Sequence, residues 1–596
     1  METKESISRG KWKNKAEAIL SCVGYAVGIG NIWRFPYLTY KNGGGAFLMP
    51  YIIMLFMVGM PLFFMEFSLG QFSSTGCTTV FKLGPLFKGA GYAMLVVNMI
   101  FGSYANLIIT YPLMFLMYAY KNRLPWSACD NYWNTKDCIE LKENSVRRQS
   151  NATISRNGNR TTAADEFLHL EILKISSGIE DVGSIDIYVL LCNIVSWIIV
   201  YLCIMRGIKS VGRVIYFTAL FPFVVLFCLL IRGLTLPGAW DGVYFYIWPQ
   251  WDQLGNLKVW ADAALQIFFS LGPGWGGIVN ISSYNNFRNN CKLDSIVVPI
   301  VNCSTAILSG FVVFSVIGFM AHETGMPVST VASGGPSLAF ITYPAAISLM
   351  PWPNLWAILF FLMMYNIGID TLFVCLETVV TAIVDDLPYL RKFQFYVTIS
   401  TVLVAACFSI IYCTHSGMYW LQLFDWYSAS ISVVVICLSE VIVVGWTYGM
   451  KRFIRDVEFM TGEKLSWYWS LSWKFITPLY LAFIIITIVV FGTKASYLGR
   501  EFPDWAILLG WASCFASIIW IPLYMVYRLI YIEKGSFMQR FMHSLKPSPD
   551  WGPARPQDRS EWRSKTLKIY LKENVTTRED VNTQQFLSLC NNEENK

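Results

Sequence analysis

The sequence predicts an all-α integral membrane protein with twelve transmembrane helices. Of its 596 residues, 55% are hydrophobic and only 14% are charged. A soluble protein carries about 25% charged residues, so this chain has too few to cover a globular surface. Apolar runs near the roughly 20 residues that a helix needs to cross a bilayer recur along almost the whole chain. The 23 Trp and 31 Tyr suit aromatic belts at the two membrane surfaces.

The apolar runs divide the chain into twelve predicted spans, numbered here in chain order. No leader peptide is expected, because the first apolar run is long and lacks a small-residue cleavage site. The predicted spans are 17–39, 46–70, 90–118, 186–205, 214–232, 261–284, 295–321, 353–381, 395–413, 421–446, 474–492 and 505–528.

Lys and Arg in the short connections predict the orientation. The connections after spans 2, 4, 6, 8 and 10 hold thirteen of them, against five on the opposite side. Because loops rich in Lys and Arg stay on the cytoplasmic side, both termini are expected to be cytoplasmic. The protein is expected to lie in the plasma membrane. The expected organisation is a cytoplasmic N-terminal segment at 1–16, a core at 17–530 with a large external loop at 119–185, and a cytoplasmic tail at 531–596. The polar tail suggests a trafficking or regulatory partner, and the dispersed positive charge argues against nucleic acid.

The large loop between spans 3 and 4 carries two marks of an exterior location. Asn151 and Asn159 begin glycosylation sequons. Cys129 and Cys138 lie in the same loop, where an oxidising exterior favours a disulfide between them.

Spans 1 and 6 are predicted to be broken near their middles. Residues 24–31 contain three glycines, and residues 270–277 contain four glycines and a proline. Gly costs about 1 kcal/mol and Pro about 3 kcal/mol inside a helix. A single Gly is more simply explained by close helix packing. Two clusters in corresponding positions, five spans apart, instead indicate an inverted five-helix repeat with a binding site at the midplane.

The chemistry of such breaks suits an amino acid. Freed amides at a half-helix N-terminus attract a carboxylate, and freed carbonyls attract a cation. The stretch around Gly28 offers no acid to balance an amine that lacks a carboxylate.

In span 8, Asp370 and Thr371 stand deep in an apolar run with no nearby Lys or Arg, so bound Na+ would neutralise the acid. A buried Asp capping a neighbouring helix is the alternative. Asn31, Ser270 and Asn302 are further oxygen donors, each of which alone more often joins two helices.

Several motifs resemble the sodium-coupled neurotransmitter symporter family, and the resemblance covers residues 9–530. Within the family, the chain is most similar to the glycine and broad-specificity neutral amino-acid branch. The motifs are NIWRFPY at 31–37, NGGGAF at 42–47, EFSLGQ at 66–71 and SSYN at 282–285, together with the Cys129–Cys138 loop.

The resemblance implies two Na+ sites and a substrate site. One Na+ site would use Gly24, Val27, Ile367, Asp370 and Thr371, and the other Ala26, Asn31, Ser270 and Asn302. The substrate carboxylate would meet the amides of residues 28–30, with Trp275 restricting the pocket to small side chains. The implied substrate residues are Ala26, Gly28, Ile29, Gly30, Phe101, Ala105, Phe269, Gly272, Trp275, Thr371 and Cys375.

The resemblance also implies gates and an anion site. Arg34 and Asp425 would close the external side, with Phe269 as a lid. Arg9, Trp12, Tyr284 and Asp385 would close the cytoplasmic side. Tyr51, Gln266 and Ser270 match three chloride ligands of the family. Each charged gate residue could instead simply lie at a helix end that is exposed to solvent. This alternative explains Arg34 least well, because Arg34 lies inside an apolar span.

Three departures from the family pattern weaken parts of this assignment. Ala105 stands where the family places a tyrosine hydroxyl on the substrate carboxylate, and Tyr104 is displaced by about 100° around the helix. Ala306 replaces the fourth chloride ligand, so that a chloride requirement stays open. Gly272-Pro273 replaces a small polar and an apolar residue at the break in span 6.

The hypothesis is a Na+-coupled symporter that imports a small neutral amino acid, and not an enzyme. The chain shows no phosphate-binding Gly-rich loop with Lys. A non-transporting family member, acting as a receptor-like or trafficking protein, is the alternative that the three departures suggest. A channel is a third and weaker alternative.

Overall fold

The computed structural model describes residues 10–140, 161–325, 327–328, 338–491, 496–497 and 500–575. Most of this part of the chain is helical. Ten of its helices are long and apolar enough to cross a membrane. They form span 2 (Gly45–Ser73), span 3 (Pro85–Ala119), span 4 (Ile187–Ile204), span 5 (Ser210–Leu234), span 7 (Cys291–Thr324), span 8 (Pro353–Asp386), span 9 (Pro388–Cys413), span 10 (Gly417–Thr461), span 11 (Trp467–Ile488) and span 12 (Asp504–Ile532).

Spans 1 and 6 are each built from two helices. Span 1 consists of Lys15–Ala26 and Ile29–Lys41, which meet at an angle of 61°. Span 6 consists of Leu257–Leu271 and Gly277–Ser282, separated by five residues that are not helical. Helical structure therefore coincides with all twelve predicted spans, and both predicted breaks are present.

Burial separates central spans from peripheral ones. In span 8, 89% of the most apolar stretch is buried inside the protein, against 28% in span 12. Span 8 packs against spans 1, 3 and 5. A helix that is apolar on all sides and still buried belongs to the protein interior, so Asp370 of span 8 is at the centre of the bundle.

The loop between spans 3 and 4 has short local structure of its own. Cys138–Ile139 pairs in parallel with Thr161–Thr162, and the helix Ala163–Glu166 follows. Cys129 and Cys138 form a disulfide with Cα atoms 5.8 Å apart, which confirms the predicted pair. The sequons at Asn151 and Asn159 lie outside the described residues.

The chain divides into two compact units. The first ends at Pro549 and includes the short helix Phe537–Leu545 that follows span 12. The second begins at Asp550 and contains the helix Pro556–Val575.

Candidate functional site

The break in span 1 brings its backbone close to span 8. The first helix ends at Ala26, and the chain resumes as a short 3-10 turn at Ile29–Asn31. A Cβ atom on Gly24 would lie only 2.8 Å from Oδ2 of Asp370. Gly24 therefore permits the carboxylate of span 8 to reach the main chain of span 1.

The break in span 6 depends on glycines in the left-handed conformation. Gly272, Gly274 and Gly276 have φ values of +67°, +79° and +78°, which favour residues without a Cβ atom. Glu66 accepts a hydrogen bond from the Gly274 amide at 2.5 Å. Asn98 donates one to the Trp275 carbonyl at 2.7 Å. These two buried side chains satisfy backbone groups that the break leaves without helical partners.

A cavity of about 180 Å³ lies between the two breaks. This volume is below the roughly 300–1,000 Å³ of pockets for drug-sized ligands, so it suits a small solute. All eleven residues that the resemblance assigns to the substrate line it, and their role in binding remains a prediction. They are Ala26, Gly28, Ile29, Gly30, Phe101, Ala105, Phe269, Gly272, Trp275, Thr371 and Cys375.

Aromatic rings narrow this cavity. Trp275 meets the Phe101 ring edge-on, with ring centroids 5.0 Å apart. Tyr25 lines the same cavity and donates a hydrogen bond to the Gly272 carbonyl at 3.2 Å. Sequence reasoning missed Tyr25, although a hydroxyl beside a predicted break was a usable signal.

Three polar side chains from spans 1, 6 and 7 meet at one side of the cavity. Asn31 donates to the Asn302 amide oxygen at 2.6 Å. Ser270 donates to the Asn31 amide oxygen at 2.7 Å. The oxygens of Asn31, Ser270 and Asn302 thus converge, and oxygen ligands are those that a hard cation such as Na+ prefers. Ala26, the fourth predicted member of this site, has its carbonyl 3.1 Å from the Gly28 amide.

The second predicted cation set joins spans 1 and 8. Asp370 is 1% exposed, and neither its Oδ1 atom nor the Thr371 hydroxyl has a hydrogen-bond partner among the described residues. The carboxylate has the Thr218 hydroxyl beside it, but a buried carboxylate with one oxygen left without a partner is expensive. The unpaired Oδ1 counts against the helix-capping alternative and leaves these oxygens free for a cation. The remaining predicted members, Gly24, Val27 and Ile367, are buried in the same two spans.

The predicted external gate has two separate contacts. The Arg34 guanidinium lies over the Phe269 ring, 4.4 Å from its centroid. Asp425 instead accepts a hydrogen bond from the Tyr104 hydroxyl at 3.0 Å. Both Arg34 and Asp425 line the cavity, and no ion pair within 4.0 Å joins them in the described part of the chain.

Two of the predicted cytoplasmic gate residues, Trp12 and Tyr284, pack against each other. The Trp12 indole donates to the Ile281 carbonyl at 3.0 Å, and its ring meets the Tyr284 ring edge-on at 6.2 Å. Asp385 accepts from the Gly76 amide at 2.7 Å and from Arg391 at 3.2 Å. Arg9, the fourth predicted member, lies outside the described residues.

The predicted chloride ligands adjoin the same polar cluster. The buried Tyr51 hydroxyl lies beside Ser270 but makes no hydrogen bond of good geometry among the described residues. The Gln266 amide nitrogen is 3.5 Å from the Gly30 carbonyl, and Ser270 belongs to the cluster with Asn31. Ala306 is fully buried one helical turn beyond Asn302. A donor hydroxyl at Tyr51 suits an anion, and Ala306 adds no further donor.

A bundle of membrane-length helices around a small cavity between two broken helices is the architecture of a secondary active transporter. Comparison with known proteins identifies the family of transporters to which the chain belongs. It belongs to the sodium:neurotransmitter symporter family, whose model matches residues 9–532. The chain is therefore a transporter and not an enzyme.

Curated relatives are similar over nearly the whole chain. The chain is 44% identical over 569 residues to the sodium- and chloride-dependent glycine transporter 1 of Xenopus laevis, covering 93% of this chain and 90% of the relative. It is 41% identical to the Xenopus laevis sodium- and chloride-dependent glycine transporter 2, covering 94% and 74%. It is 40% identical to the human sodium- and chloride-dependent neutral and basic amino acid transporter B(0+), covering 94% and 92%.

Proposed function

We propose that this protein imports glycine or another small neutral amino acid by coupling it to the inward movement of two Na+ ions. The observation that carries the proposal is the unpartnered pair of Asp370 Oδ1 and Thr371 Oγ1 beside the break in span 1. A buried anionic oxygen next to a cavity needs a cation to neutralise it. The names of the three relatives support coupling to sodium and an amino-acid substrate.

The substrate would be held at both ends by backbone groups of the breaks. Its carboxylate would meet the amides at residues 28–30, where a helical turn begins and the local dipole is positive. Its ammonium would meet carbonyls near Ala26 and Phe269. Trp275 and Phe101 leave room for a small side chain only. Sodium at the Asn31 cluster lies beside the carboxylate, so each would raise the affinity for the other.

The two gates supply alternating access. On the external side, Arg34 would swing from the Phe269 ring towards Asp425 once the substrate is bound. On the cytoplasmic side, release would require Trp12 and Tyr284 to separate from span 6. The membrane potential supplies about 2.3 kcal/mol per elementary charge per 100 mV, so two Na+ ions can drive substrate accumulation.

We further propose that chloride binds at Tyr51, Gln266 and Ser270, and that Ala306 weakens it. The buried Tyr51 hydroxyl beside Ser270 supports the site. The location we propose is the plasma membrane, with both termini in the cytoplasm and Asn151 and Asn159 glycosylated outside. A trafficking or regulatory partner of the tail remains part of the proposal. The fold and the relatives offer no support for a non-transporting role.

An uptake panel tests the proposal. Cells expressing the chain are given labelled glycine, alanine and proline in buffers in which Na+ or Cl− is replaced. We expect uptake of at least one of them that requires Na+. The proposal fails if none is taken up above background while surface labelling shows the protein at the plasma membrane.

A further inference from the structure

A short amphipathic helix follows span 12 almost at once. Span 12 ends at Ile532, and the helix Phe537–Leu545 begins after four intervening residues. Ser536 caps its start, because the Ser536 hydroxyl accepts from the Gln539 amide and the Gln539 side chain accepts from the Ser536 amide. The beginning of the helix is thus fixed by its own sequence.

The apolar side chains of this helix fall on one side. Each residue of an α-helix advances by about 100°, so five apolar residues occupy an arc of about 140°. Four of them are exposed, by 72%, 67%, 36% and 53% in chain order. The members of this apolar arc are Phe537, Met538, Phe541, Met542 and Leu545.

The opposite side fastens the helix to the end of span 12. Arg540 donates to the Leu529 carbonyl at 3.1 Å. The Glu533 carboxylate contacts the Arg528 guanidinium at 2.6 Å and Nδ1 of His543 at 2.5 Å. Ser544, at the edge of the apolar arc next to Phe537, is buried. The helix also packs against the turn Pro85–Phe87, and Leu545 is only partly exposed, which leaves the other four side chains of the arc facing outward.

The surroundings of the arc match a membrane surface. Tyr527, Ile530 and Tyr531 at the end of span 12 are 49%, 57% and 76% exposed, as expected of side chains that face lipid. Lys534 precedes the helix and Lys546 follows it, both exposed. Among the described residues, no acidic side chain lies within 4.0 Å of either ammonium group. The apolar arc therefore stands next to a lipid-facing helix end and between two unpaired cations.

We infer that the helix Phe537–Leu545 is an in-plane anchor that docks its apolar arc on the bilayer surface at the end of span 12, and that Lys534 and Lys546 select anionic phospholipid. An amphipathic helix with basic flanks binds at the headgroup boundary through apolar burial and attraction to anionic lipid. The span beside it places the helix at that boundary before any binding step.

Spin labels on the full-length protein test the inference. The background carries alanine at the exposed Cys228 and Cys407 and at Cys590. One variant carries a nitroxide at Met542→Cys in the arc, and the matched control carries it at Gln539→Cys on the opposite side. The control loses the side-chain half of the capping box, but the Ser536 hydroxyl still accepts from the backbone amide of residue 539. Both are reconstituted in phosphatidylcholine vesicles with and without phosphatidylserine. Oxygen concentrates in the bilayer, so frequent collisions of oxygen with the nitroxide indicate a lipid environment. The nickel chelate stays in water, so frequent collisions with it indicate exposure to water.

We expect the label at residue 542 to meet oxygen more often than nickel, and the label at residue 539 to show the reverse. Phosphatidylserine should increase the oxygen preference at 542, and K534Q combined with K546Q should abolish that increase. Equal nickel access at both sites would overturn the inference, because the helix would then lie in water. Protection of residue 542 from both reagents would also overturn it, since a second copy or another part of the chain would then cover the arc. These readouts do not depend on transport.

Discussion

Tyr104 donates a hydrogen bond to Asp425, with the hydroxyl oxygen 3.0 Å from Oδ1. The two residues are 321 positions apart and join span 3 to span 10 beside the cavity. This contact explains what the displaced tyrosine does: its hydroxyl is directed to the gate carboxylate, while Ala105 lines the substrate cavity. Arg34 meanwhile rests on Phe269, so the two gate charges have different partners.

Replacing Tyr104 with phenylalanine is expected to impair the external gate. The change removes a hydrogen bond from a half-buried carboxylate, which costs about 1–3 kcal/mol, and frees Asp425 to pair with Arg34 without substrate. We predict a several-fold rise in KM for uptake. Tyr412→Phe is the matched control, because Tyr412 lies next to Tyr104 and its hydroxyl contacts Ser103 instead. Equal effects of the two variants would contradict a specific role for the Tyr104–Asp425 bond.

Replacing Ala105 with tyrosine should restore a hydroxyl at the substrate carboxylate. Ala105→Phe adds the same ring without the hydroxyl, so comparison of the two isolates the hydrogen bond. A neutral hydrogen bond is worth about 0.5–1.5 kcal/mol, which corresponds to a KM for glycine about two- to tenfold lower in the tyrosine variant. Both rings should reduce uptake of larger amino acids by filling the cavity. If the two variants have the same KM, residue 105 does not face the carboxylate.

Replacing Ala306 with serine should strengthen chloride binding. The added hydroxyl would lie one turn from Asn302, on the same face of span 7 as that residue. We predict that uptake by Ala306→Ser reaches half its maximum at a several-fold lower Cl− concentration. Ala306→Gly is the control, which alters packing without adding a donor. An unchanged Cl− dependence in the serine variant would remove Ala306 from the anion site.

Glu166 should stabilise the loop between spans 3 and 4 at neutral pH. Burial tends to raise the pKa of its carboxyl, but hydrogen bonds from Thr135, Thr161 and Asn134 outweigh burial and lower the pKa below its usual range. Its stabilising contribution is therefore complete above the unfolded pKa of about 4.3 and is lost as the pH falls through the lower folded value.

Glu166→Gln should accordingly lower the melting temperature by an amount that stays constant between pH 8 and pH 6. The loss of charged hydrogen bonds corresponds to about 1–3 kcal/mol. Glu180→Gln is the control, because Glu180 is exposed and has one long contact with Trp505. A difference that shrinks between pH 8 and pH 6 would mean that the pKa of Glu166 is raised and not lowered.

The sequence predicts the twelve spans and both breaks because these depend on local composition. Apolar length defines a span, and the glycines around residue 274 have positive φ values that other residues rarely adopt. The Cys129–Cys138 disulfide was likewise predictable, because the two residues are near in sequence and lie in a loop expected to be external.

The directions of Tyr25 and Tyr104 were not predictable from the sequence. Tyr25 meets a carbonyl 247 residues away, and Tyr104 a carboxylate 321 residues away. Such contacts depend on how spans rotate against one another, which periodicity does not determine when all sides of a helix are apolar. The two halves of the external gate could therefore be named from the resemblance, but their separate partners could not.

The most direct test of sodium coupling compares the purified wild-type protein with Asp370→Asn in proteoliposomes. With Na+ outside and K+ inside, the wild type should accumulate labelled glycine, or the amino acid found in the uptake panel, above its external concentration. The variant should not, because the amide carries no charge to balance Na+. Asp386→Asn, which alters a carboxylate paired with Lys88 at the end of the same helix, should retain Na+-dependent accumulation. Undiminished Na+-dependent accumulation by Asp370→Asn, or accumulation by the wild type without Na+, would contradict the account.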